Sequence, residues 1–574
     1  MLSAPILLVA FLAAGAAAAQ ERSAQVDLGY EIHEGYLNET TEIYKFSNIR
    51  FAEPPVGDLR FAAPVYPRGS SSHVENGNVS RTCPQARGTG SIVNQLWVAS
   101  IVAGNYTQFN LTEAQQLQQA YLASTPPARP DPSETEDCLF LDVYVPQGVF
   151  ENSTGTNGTN STGPGWNDYS NGTSISGVPV LIWIYGGAYV VGSKNTANGA
   201  GLIEASQLDG GPGLIFVALN YRLGALGWSG GPTLQGAGGV SNAGLYDQRL
   251  AIEWVAENIH LFGGDKNQIT IMGESAGGGS VQHQITAYGG QQPVSFQRAI
   301  SQSPGYGPTP SVYHQETLFQ QFLTLANVSS VEEARQLNSS AVIRANQQQI
   351  AAGVSYNPTV DGIFVPALPA LLLNAGAFAK DVEVMVGHNA NEAPGFTPPK
   401  TGANYSSEEI ALYLSASIPG VQDAVVDTIV EDLYPEIYDG SQPYKDSLHR
   451  VMLIISDAYF TCNTNYLNKA FKNLTYAYEF QVPPALHGQD VRYTFYDGGG
   501  DNPSQGLIAA IAEVHQAYIV NFASSGDPNG PDLPVFPMQG NNASMNAWNA
   551  TAVKTERDDT VNERCRWWQK SLFA

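Results

Sequence analysis

The sequence is poor in cysteine and in basic residues, and after its amino-terminal stretch it has no apolar run long enough to span a bilayer. The four cysteines include no C-x-x-C pair, which excludes a cysteine metal clip. Lys and Arg number 27 against 52 Asp and Glu, a net charge of −25. Nucleic acid and anionic membranes both favour basic patches, so we expect neither as a partner, and no integral membrane anchor.

The first residues, MLSAPILLVAFLAAGAAAAQ, form an uncharged apolar stretch that ends in small residues. The apolar core is short for a membrane span, and small residues lie where signal peptidase cuts. We therefore predict a signal peptide at 1–19 and a secreted, extracellular protein. An anchor helix is the alternative, because the stretch lacks the basic residues that usually open a signal peptide.

Asn-x-Ser/Thr sequons, the acceptor pattern for N-glycosylation, are unusually dense and support secretion. Several lie in a tract of Gly, Ser, Thr and Asn that can bury little, which predicts a sugar-bearing surface insertion at 150–176. The candidate glycosylation sites are Asn38, Asn78, Asn105, Asn110, Asn152, Asn157, Asn160, Asn171, Asn327, Asn338, Asn404, Asn473, Asn542 and Asn549.

The cysteines are Cys83, Cys138, Cys462 and Cys565. In an oxidising compartment an even number favours disulfide bonds, here two. Their spacing alone leaves all three pairings open.

Apolar strands alternate with helical patterns along most of the chain. Short apolar runs predict strands at 178–184, 214–219, 268–272, 382–386 and 476–480. A helical stripe at 245–265 ends at two glycines. Buried strands separated by helices indicate an α/β fold with a mostly parallel sheet covered on both faces, built as a single domain over 20–574.

One serine follows the strand at 268–272 directly, in the sequence Gly273-Glu274-Ser275-Ala276-Gly277, and a helical run comes next. A G-x-S-x-G pattern between strand and helix is typical of a nucleophile elbow, where small residues permit a tight turn that lifts the serine hydroxyl clear of the sheet. The alternative is a glycine-rich turn with an incidental serine.

A serine nucleophile needs a base, an acid that orients the base, and donors for the oxyanion. Two glycines follow the strand at 178–184, and we predict that the backbone N–H groups of Gly187, Ala188 and Ala276 form the oxyanion hole. A plain β-turn is the alternative for the first two residues.

Several long segments occur in a characteristic order: FSNIRFAEPPVGDLRFAAP (46–64), SETEDCLFLDVYVP (133–146), NYRLGALGW (220–228), NAGLYDQRLAIEWV (242–255), FGGD (262–265), GESAGGGS (273–280) and SSGDPN (524–529). Together they make the chain resemble the type-B carboxylesterase family, which includes cholinesterases and fungal lipases and has the α/β-hydrolase fold. The resemblance extends from about residue 28 to the carboxyl end. It implies a serine ester hydrolase that works through an acyl-enzyme.

The resemblance also implies the remaining catalytic residues. GHNANEA (387–393) matches the segment that holds the family's acid, which is Glu392 here. LHGQDVRYTF (486–495) matches the segment that holds the family's histidine before a β-strand, which is His487 here. With Ser275 these residues would form a Ser-His-Glu triad in the Ser–acid–His order of the fold.

Supporting residues follow from the same resemblance. Ser303 aligns with a serine that orients the acid, and Glu274 adjoins the nucleophile; both are expected beside the triad.

The family pairing of cysteines is Cys83–Cys138 and Cys462–Cys565. Relatives commonly have glycine at the position of Ala188, which still supplies an N–H. The mechanism needs no metal and no organic cofactor.

The loop 83–138 corresponds to a lid in fungal lipases of the family. Its segment 111–122 predicts a helix with Ala114, Leu117 and Tyr121 on one face and a capping box formed by Thr112 and Gln115. A flap over the acyl pocket and a plain surface helix are both open. The loop has no tryptophan near Cys138, which argues against a choline ester.

The substrate is expected to be a small-molecule or lipid ester. A lipase or sterol esterase with interfacial activation is the nearest alternative, and an esterase dedicated to one secreted metabolite is another. A non-catalytic adhesion or binding protein is a fourth hypothesis, disfavoured because all three triad positions are present. The oligomeric state, the acyl-chain length and the occupied sequons do not follow from the sequence.

Overall fold

The computed structural model describes residues 23–86, 91–124, 131–154, 177–502 and 506–573. The predicted signal peptide and most of the predicted glycosylated insertion lie outside these residues. No helix in the described ranges is long and apolar enough to cross a membrane.

The strands form one sheet that extends across nearly the whole described chain. They are β1 Ser23–Asp27, β2 Ile32–Asn38, β3 Ile43–Arg50, β4 Val74–Glu75, β5 Phe140–Pro146, β6 Val178–Ile184, β7 Ile215–Leu219, β8 Gly264–Glu274, β9 Arg298–Gln302, β10 Glu383–Asn389, β11 Tyr476–Phe480, β12 Ser544–Trp548 and β13 Val553–Arg557.

Helices connect and flank the strands. They are α1 Ile92–Val102, α2 Leu111–Ser124, α3 Gln147–Thr154, α4 Ala200–Gln207, α5 Gly224–Trp228, α6 Pro232–Gly236, α7 Ala243–Asn258, α8 Ala276–Thr286, α9 Val312–Leu325, α10 Val331–Gln336, α11 Ser339–Ala351, α12 Pro369–Ala375, α13 Ser407–Ser417, α14 Asp423–Asp427, α15 Ser447–Ser456, α16 Cys462–Ala470, α17 Val491–Thr494, α18 Ala509–Ser525 and α19 Glu563–Gln569.

The strand order is β1-β2-β3-β5-β7-β6-β8-β9-β10-β11-β12-β13, with β4 paired to β2. Strands from β7 to β12 along this order run parallel, and antiparallel strands extend the sheet at both edges. The predicted α/β architecture with a mostly parallel sheet is confirmed. Because parallel strands all end at the same edge, residues that follow β8, β10 and β11 are brought together there.

The central strands are buried along their length, as their continuous apolar runs predict. Every residue of β5 and of β7 is buried, and so is every residue of β6 after Val178. The five strands predicted from apolar runs all form, with ends that differ by a few residues. The predicted helix at 245–265 begins earlier, at Ala243, and its α-helical part ends at Asn258.

Segments singled out in the sequence pair with one another through buried charges. The Arg60 guanidinium donates to both carboxylate oxygens of Glu136 at 2.6 and 2.7 Å. Arg222 donates to both carboxylate oxygens of Asp247 at 2.8 and 2.7 Å. All four side chains are almost fully buried. Removing one partner would leave a buried charge unpaired. Substitution of either member of a pair should therefore destabilise the fold.

Candidate active site

Ser275 lies at the corner between β8 and α8, where the chain passes from strand to helix in one residue. Its backbone has φ 56° and ψ −123°, a conformation that is costly for a residue with a side chain. The flanking glycines are needed because a side chain there would clash with the backbone. A Cβ on Gly277 would lie 2.0 Å from the carbonyl oxygen of Ile184. The corner holds Ser275 at the carboxyl end of the central strands.

The structure brings Ser275, His487 and Glu392 into one hydrogen-bonded chain. The Ser275 hydroxyl donates to Nε2 of His487 at 2.8 Å. Nδ1 of His487 donates to Oε2 of Glu392 at 2.5 Å. Glu392 follows β10 and His487 follows β11, the adjacent parallel strand. The imidazole is therefore held between a hydroxyl and a carboxylate, the arrangement in which it can remove a proton from the hydroxyl.

Glu392 is held in its charged form although it is buried. Ser303 Oγ donates to its Oε1 at 2.7 Å, and the backbone N–H of Asn389 donates to the same oxygen at 2.5 Å. Burial alone would raise the pKa of Glu392, but His487 and these donors outweigh it and lower the pKa. Ser303, which the resemblance placed beside the triad, thus contacts Glu392, the predicted acid.

Glu274 places a second carboxylate beside the imidazole. Its Oε1 lies 3.4 Å from Nε2 of His487, and burial raises the pKa of Glu274 to about 8. Burial would lower the pKa of His487, but Glu392 and Glu274 outweigh it and raise that pKa to about 9. Glu392, joined by Glu274 once Glu274 ionises near pH 8, therefore favours the imidazolium, the form that His487 takes after accepting a proton.

Asn389 and Asp490 were not selected by the sequence analysis, yet they link the acid segment to the histidine segment. Asn389 Nδ2 donates to Ser303 Oγ at 3.2 Å and to Asp490 Oδ1 at 3.0 Å. Tyr478 donates its hydroxyl to the other oxygen of Asp490 at 2.8 Å. Asn389 lies in the segment quoted for Glu392, and Asp490 lies in the segment quoted for His487. Their presence in these segments was the only sign in the sequence that they could belong to the site.

Two phenylalanines from distant segments pack on the imidazole of His487. The Phe460 ring centroid lies 4.5 Å from that of the imidazole, and the Phe396 centroid lies 5.0 Å away, edge to face. Neither position carries a recognisable pattern in the sequence. Together they cover one side of the histidine, which restricts its ring to the orientation that meets Ser275.

The predicted oxyanion donors lie next to Ser275. Gly187 has φ 111° and Ala188 has φ 53°, so both are in the left-handed half of backbone space. In the described part of the chain, no hydrogen bond occupies the backbone N–H of Gly187, Ala188 or Ala276. Gly187 and Ala188 line the cavity that contains Ser275, and Ala276 is the first residue of α8. Three N–H groups without a partner in the described residues therefore belong to residues that line the cavities at Ser275.

Two cavities meet at Ser275. The wider cavity is open, has a volume of about 1280 Å³ and is lined by His487, Gly488 and Glu274 among others. The narrower cavity has a volume of about 390 Å³ and is lined by Ala276, Tyr306 and Gln315 among others. Ser275 and Ala188 line both. An ester bound at Ser275 therefore has a separate space for each of its halves.

Both disulfide bonds have the pairing that the resemblance implied. Cys83 is bonded to Cys138 and Cys462 to Cys565, which leaves no free cysteine. Among the described residues, the one group of side chains close enough to hold a metal ion is Asp457 with Cys462 and Cys565. Its thiols are consumed in the disulfide, so it is not a metal site.

The predicted lid segment contains two helices, α1 and α2. The predicted capping box is wrong: Asn110 caps α2 instead, and its Oδ1 accepts from the N–H groups of Thr112 and Glu113 at 3.1 and 3.3 Å. The predicted apolar face is only partly covered, because Ala114 is buried whereas Leu117 and Tyr121 are about half exposed.

A predicted strand after His487 is also wrong. The chain forms the short helix α17 at Val491–Thr494 instead. Thr494 Oγ1 hydrogen-bonds with the ring of His515, and the α17 backbone packs against α18. These tertiary contacts are made by a helix where the resemblance implied a strand.

Known proteins resemble this chain along most of its length. "Carboxylesterase patB" of Aspergillus clavatus is 40% identical over 559 residues, covering 96% of each chain. "Secreted lipase" of Arthroderma benhamiae is 29% identical over 457 residues, covering 76% of this chain and 83% of the relative. The solved structure of Aspergillus niger EstA matches with a TM-score of 0.74 at 24% identity, covering 96% of this chain and 98% of its own.

The sequence profile described as "Carboxylesterase family" matches residues 31–568. This match spans the sheet from β2 to β13, the corner at Ser275 and the segments that carry Glu392 and His487. The protein therefore belongs to the carboxylesterase family and is a carboxylic ester hydrolase with the α/β-hydrolase fold.

Proposed function

We propose that the chain hydrolyses esters in two acyl-transfer steps catalysed by Ser275, His487 and Glu392. His487 takes the proton of Ser275 as the serine oxygen attacks the ester carbonyl, and Glu392 holds the imidazole in the required tautomer. The protonated imidazole then gives its proton to the leaving alcohol. Water attacks the acyl-enzyme by the same route and releases the acid.

The negative charge that develops on the carbonyl oxygen would be bound by the backbone N–H groups of Gly187, Ala188 and Ala276. Preorganised donors of this kind act on the transition state rather than on the substrate, and one such donor typically contributes about 10²–10³ in rate. Support for this assignment comes from these three N–H groups, which have no partner in the described residues and belong to residues that line the cavities at Ser275.

The observation that carries the proposal is the chain from the Ser275 hydroxyl to Nε2 of His487 and from Nδ1 to Glu392, at 2.8 and 2.5 Å. It is tested with p-nitrophenyl esters from acetate to palmitate. We expect turnover by the unaltered protein, loss of turnover in Ser275→Ala, and full retention in Ser415→Ala, which removes an exposed hydroxyl on α13. Activity that survives Ser275→Ala would refute the assignment.

We further propose that the protein is a secreted glycoprotein. Every sequon asparagine in the described residues is exposed or half-buried, as glycan attachment requires, and both disulfides suit an oxidising compartment. A relative is named a secreted lipase. Amino-terminal sequencing of protein from culture medium should begin near residue 20, and glycosidase treatment should lower its mass. Protein retained in cells with an intact amino terminus would contradict this.

A lipase activity is a second candidate because the lid helices expose apolar side chains. Leu96 and Val102 on α1, and Leu117, Tyr121 and Leu122 on α2, are each between 38% and 50% exposed. Relatives from Geotrichum candidum are named lipases. A lipase should favour long acyl chains and show a rise in rate when the substrate forms an oil–water surface. A short-chain preference without that rise would favour an esterase.

A further inference from the structure

The narrower cavity at Ser275 is the space available to one half of the ester. It extends from Ser275 and Ala276 towards α9, and aromatic side chains that include Tyr306, Tyr356 and Phe460 form much of its wall. Its volume of about 390 Å³ is near the lower end of the range for small-molecule sites. The group bound there is therefore compact.

The position of His487 decides which half of the ester this is, given the proposed mechanism on which the inference rests. The imidazole must reach the oxygen of the leaving alcohol, so the alcohol lies on the His487 side of the serine. His487 lines the wider cavity and not the narrower one. The narrower cavity consequently receives the acyl group.

Gln315 is one of two residues in this cavity, with Tyr306, that have a buried polar atom without a hydrogen-bond partner among the described residues. Gln315 lies on α9 with only 1% of its surface exposed. Its Oε1 is fully buried without a hydrogen-bond partner, whereas its Nε2 is not among the fully buried unpartnered atoms, so the amide nitrogen is the part of the carboxamide that a bound group can reach. Displacing water from this nitrogen without giving it a partner would be costly, and an oxygen on the bound acyl chain that accepts from it would remove that cost.

The charge of the cavity limits what that group is. None of the residues that line it is Asp, Glu, Lys or Arg. Its one ionisable imidazole, His314, has a pKa lowered by burial and is therefore neutral at neutral pH. A charged acyl substituent would enter without a counter-ion, which is unfavourable away from water.

From these observations we propose that Gln315 is a specificity-determining residue that selects compact, uncharged acyl groups bearing a hydroxyl or ether oxygen. The carboxamide would donate through Nε2 to that oxygen. Purely hydrocarbon acyl groups of the same shape leave the amide unpaired and are disfavoured. The aromatic walls contact the remaining carbon atoms of the acyl group.

The test compares esters of p-nitrophenol whose acyl groups match in shape and differ in one polar group. One pair is 3-hydroxybenzoate and 3-methylbenzoate, and the other is 3-methoxypropanoate and pentanoate. Each kcat/KM is divided by the uncatalysed rate of the same ester to remove differences in intrinsic reactivity. In the unaltered enzyme we expect the polar member of at least one pair to be favoured by about three- to ten-fold, the value of one neutral hydrogen bond.

The variants Gln315→Leu and Gln315→Met should bring that ratio close to one. Gln321→Leu makes the same chemical change at an exposed position of α9 and should leave the ratio unchanged. Melting temperatures and titration of Ser275 with an organophosphonate ensure that only folded, active enzyme is compared. If either Gln315 variant fails to fold, the ratio in the unaltered enzyme still tests the preference.

Each result bears on a separate claim. Equal corrected rates within both pairs, in an enzyme whose turnover requires Ser275, would overturn the role of Gln315 and leave the ester hydrolase standing. A preference that survives in the Gln315 variants would also overturn it. Absence of Ser275-dependent turnover on every ester would overturn the proposed mechanism, and this inference with it.

Discussion

Nδ1 of His487 lies 2.5 Å from Oε2 of Glu392, although 95 positions separate the two residues in the chain. The contact forms because β10 and β11 are neighbouring parallel strands, and the acid and the histidine lie on the loops that follow them. The geometry of the site thus depends on the pairing of these two strands as much as on the residues themselves.

Replacing Ser303 should reduce turnover more than substrate binding. Its hydroxyl is buried and donates to Glu392, and a hydrogen bond to a charged group contributes about 1.5–3 kcal/mol. We expect Ser303→Ala to lower kcat by roughly ten- to one-hundred-fold with little change in KM, if most of that energy orients the acid. Steady-state kinetics on a short-chain ester measure both constants.

The matched control is Ser301→Ala in β9, two residues before Ser303. Its buried hydroxyl donates to the carbonyl of Gly278 and not to the acid. Both variants should lose some stability, but only Ser303→Ala should lose much of its kcat. Equal losses of kcat would mean that the effect is general destabilisation.

Glu274 should raise the pH of the acid limb in the pH profile of kcat/KM. Because His487 must be neutral to accept a proton and its pKa is raised to about 9, kcat/KM should rise with pH through a limb above the ordinary histidine value. Glu274→Gln removes a negative charge that favours the imidazolium, so it should move this limb to lower pH. A pH profile of kcat/KM for both proteins is the measurement, and a limb that stays in place or moves upward would contradict it.

In the loop beside Ser275, activity should survive the substitution Ala188→Gly and be lost on the substitution Gly187→Ala. A Cβ on Gly187 would lie 2.2 Å from the carbonyl oxygen of Val191, and its φ of 111° disfavours any side chain. Gly187→Ala should therefore displace the donors and cost roughly 10²-fold or more in kcat. Ala188→Gly keeps its N–H and fits φ 53°, so its kcat should stay within a few-fold of the unaltered enzyme. Similar losses in the two variants would argue against a specific role for this loop.

The Cys462–Cys565 disulfide should stabilise the carboxyl-terminal part of the chain. It closes a loop of 103 residues, for which chain entropy predicts about 4–5 kcal/mol. The double variant Cys462→Ala, Cys565→Ala should show a clearly lower melting temperature by calorimetry. Triad geometry is carried by other segments, so activity at low temperature should persist. An unchanged melting temperature would show that the bond adds no stability.

Much of the fold could be predicted because the relevant signals are local. Continuous apolar runs identified the buried strands, and Gly273 and Gly277 identified the corner at Ser275, since steric limits on a turn act over a few residues. The acid and the histidine came instead from the resemblance of longer segments to a family. Nothing in the pattern around His487 alone distinguishes it from the other histidines.

The two errors have different origins. The resemblance implied a strand after His487, yet the segment forms α17, which packs against the distant helix α18. Asn110 caps α2 through contacts that span only two and three residues, so a local signal for this cap was present in the sequence.

The sequence by itself determined the alternation of strands and helices and the strained serine corner, and through resemblance it predicted Ser275, Glu392 and His487 as a triad. Only the tertiary structure decided what surrounds these residues: the bridge through Asn389 and Asp490, the rings on His487 and the place of Gln315 in the narrower cavity. The reason is physical. Periodicity and turn sterics act between near neighbours in the chain, whereas these contacts join distant segments and depend on how parallel strands and their covering helices pack.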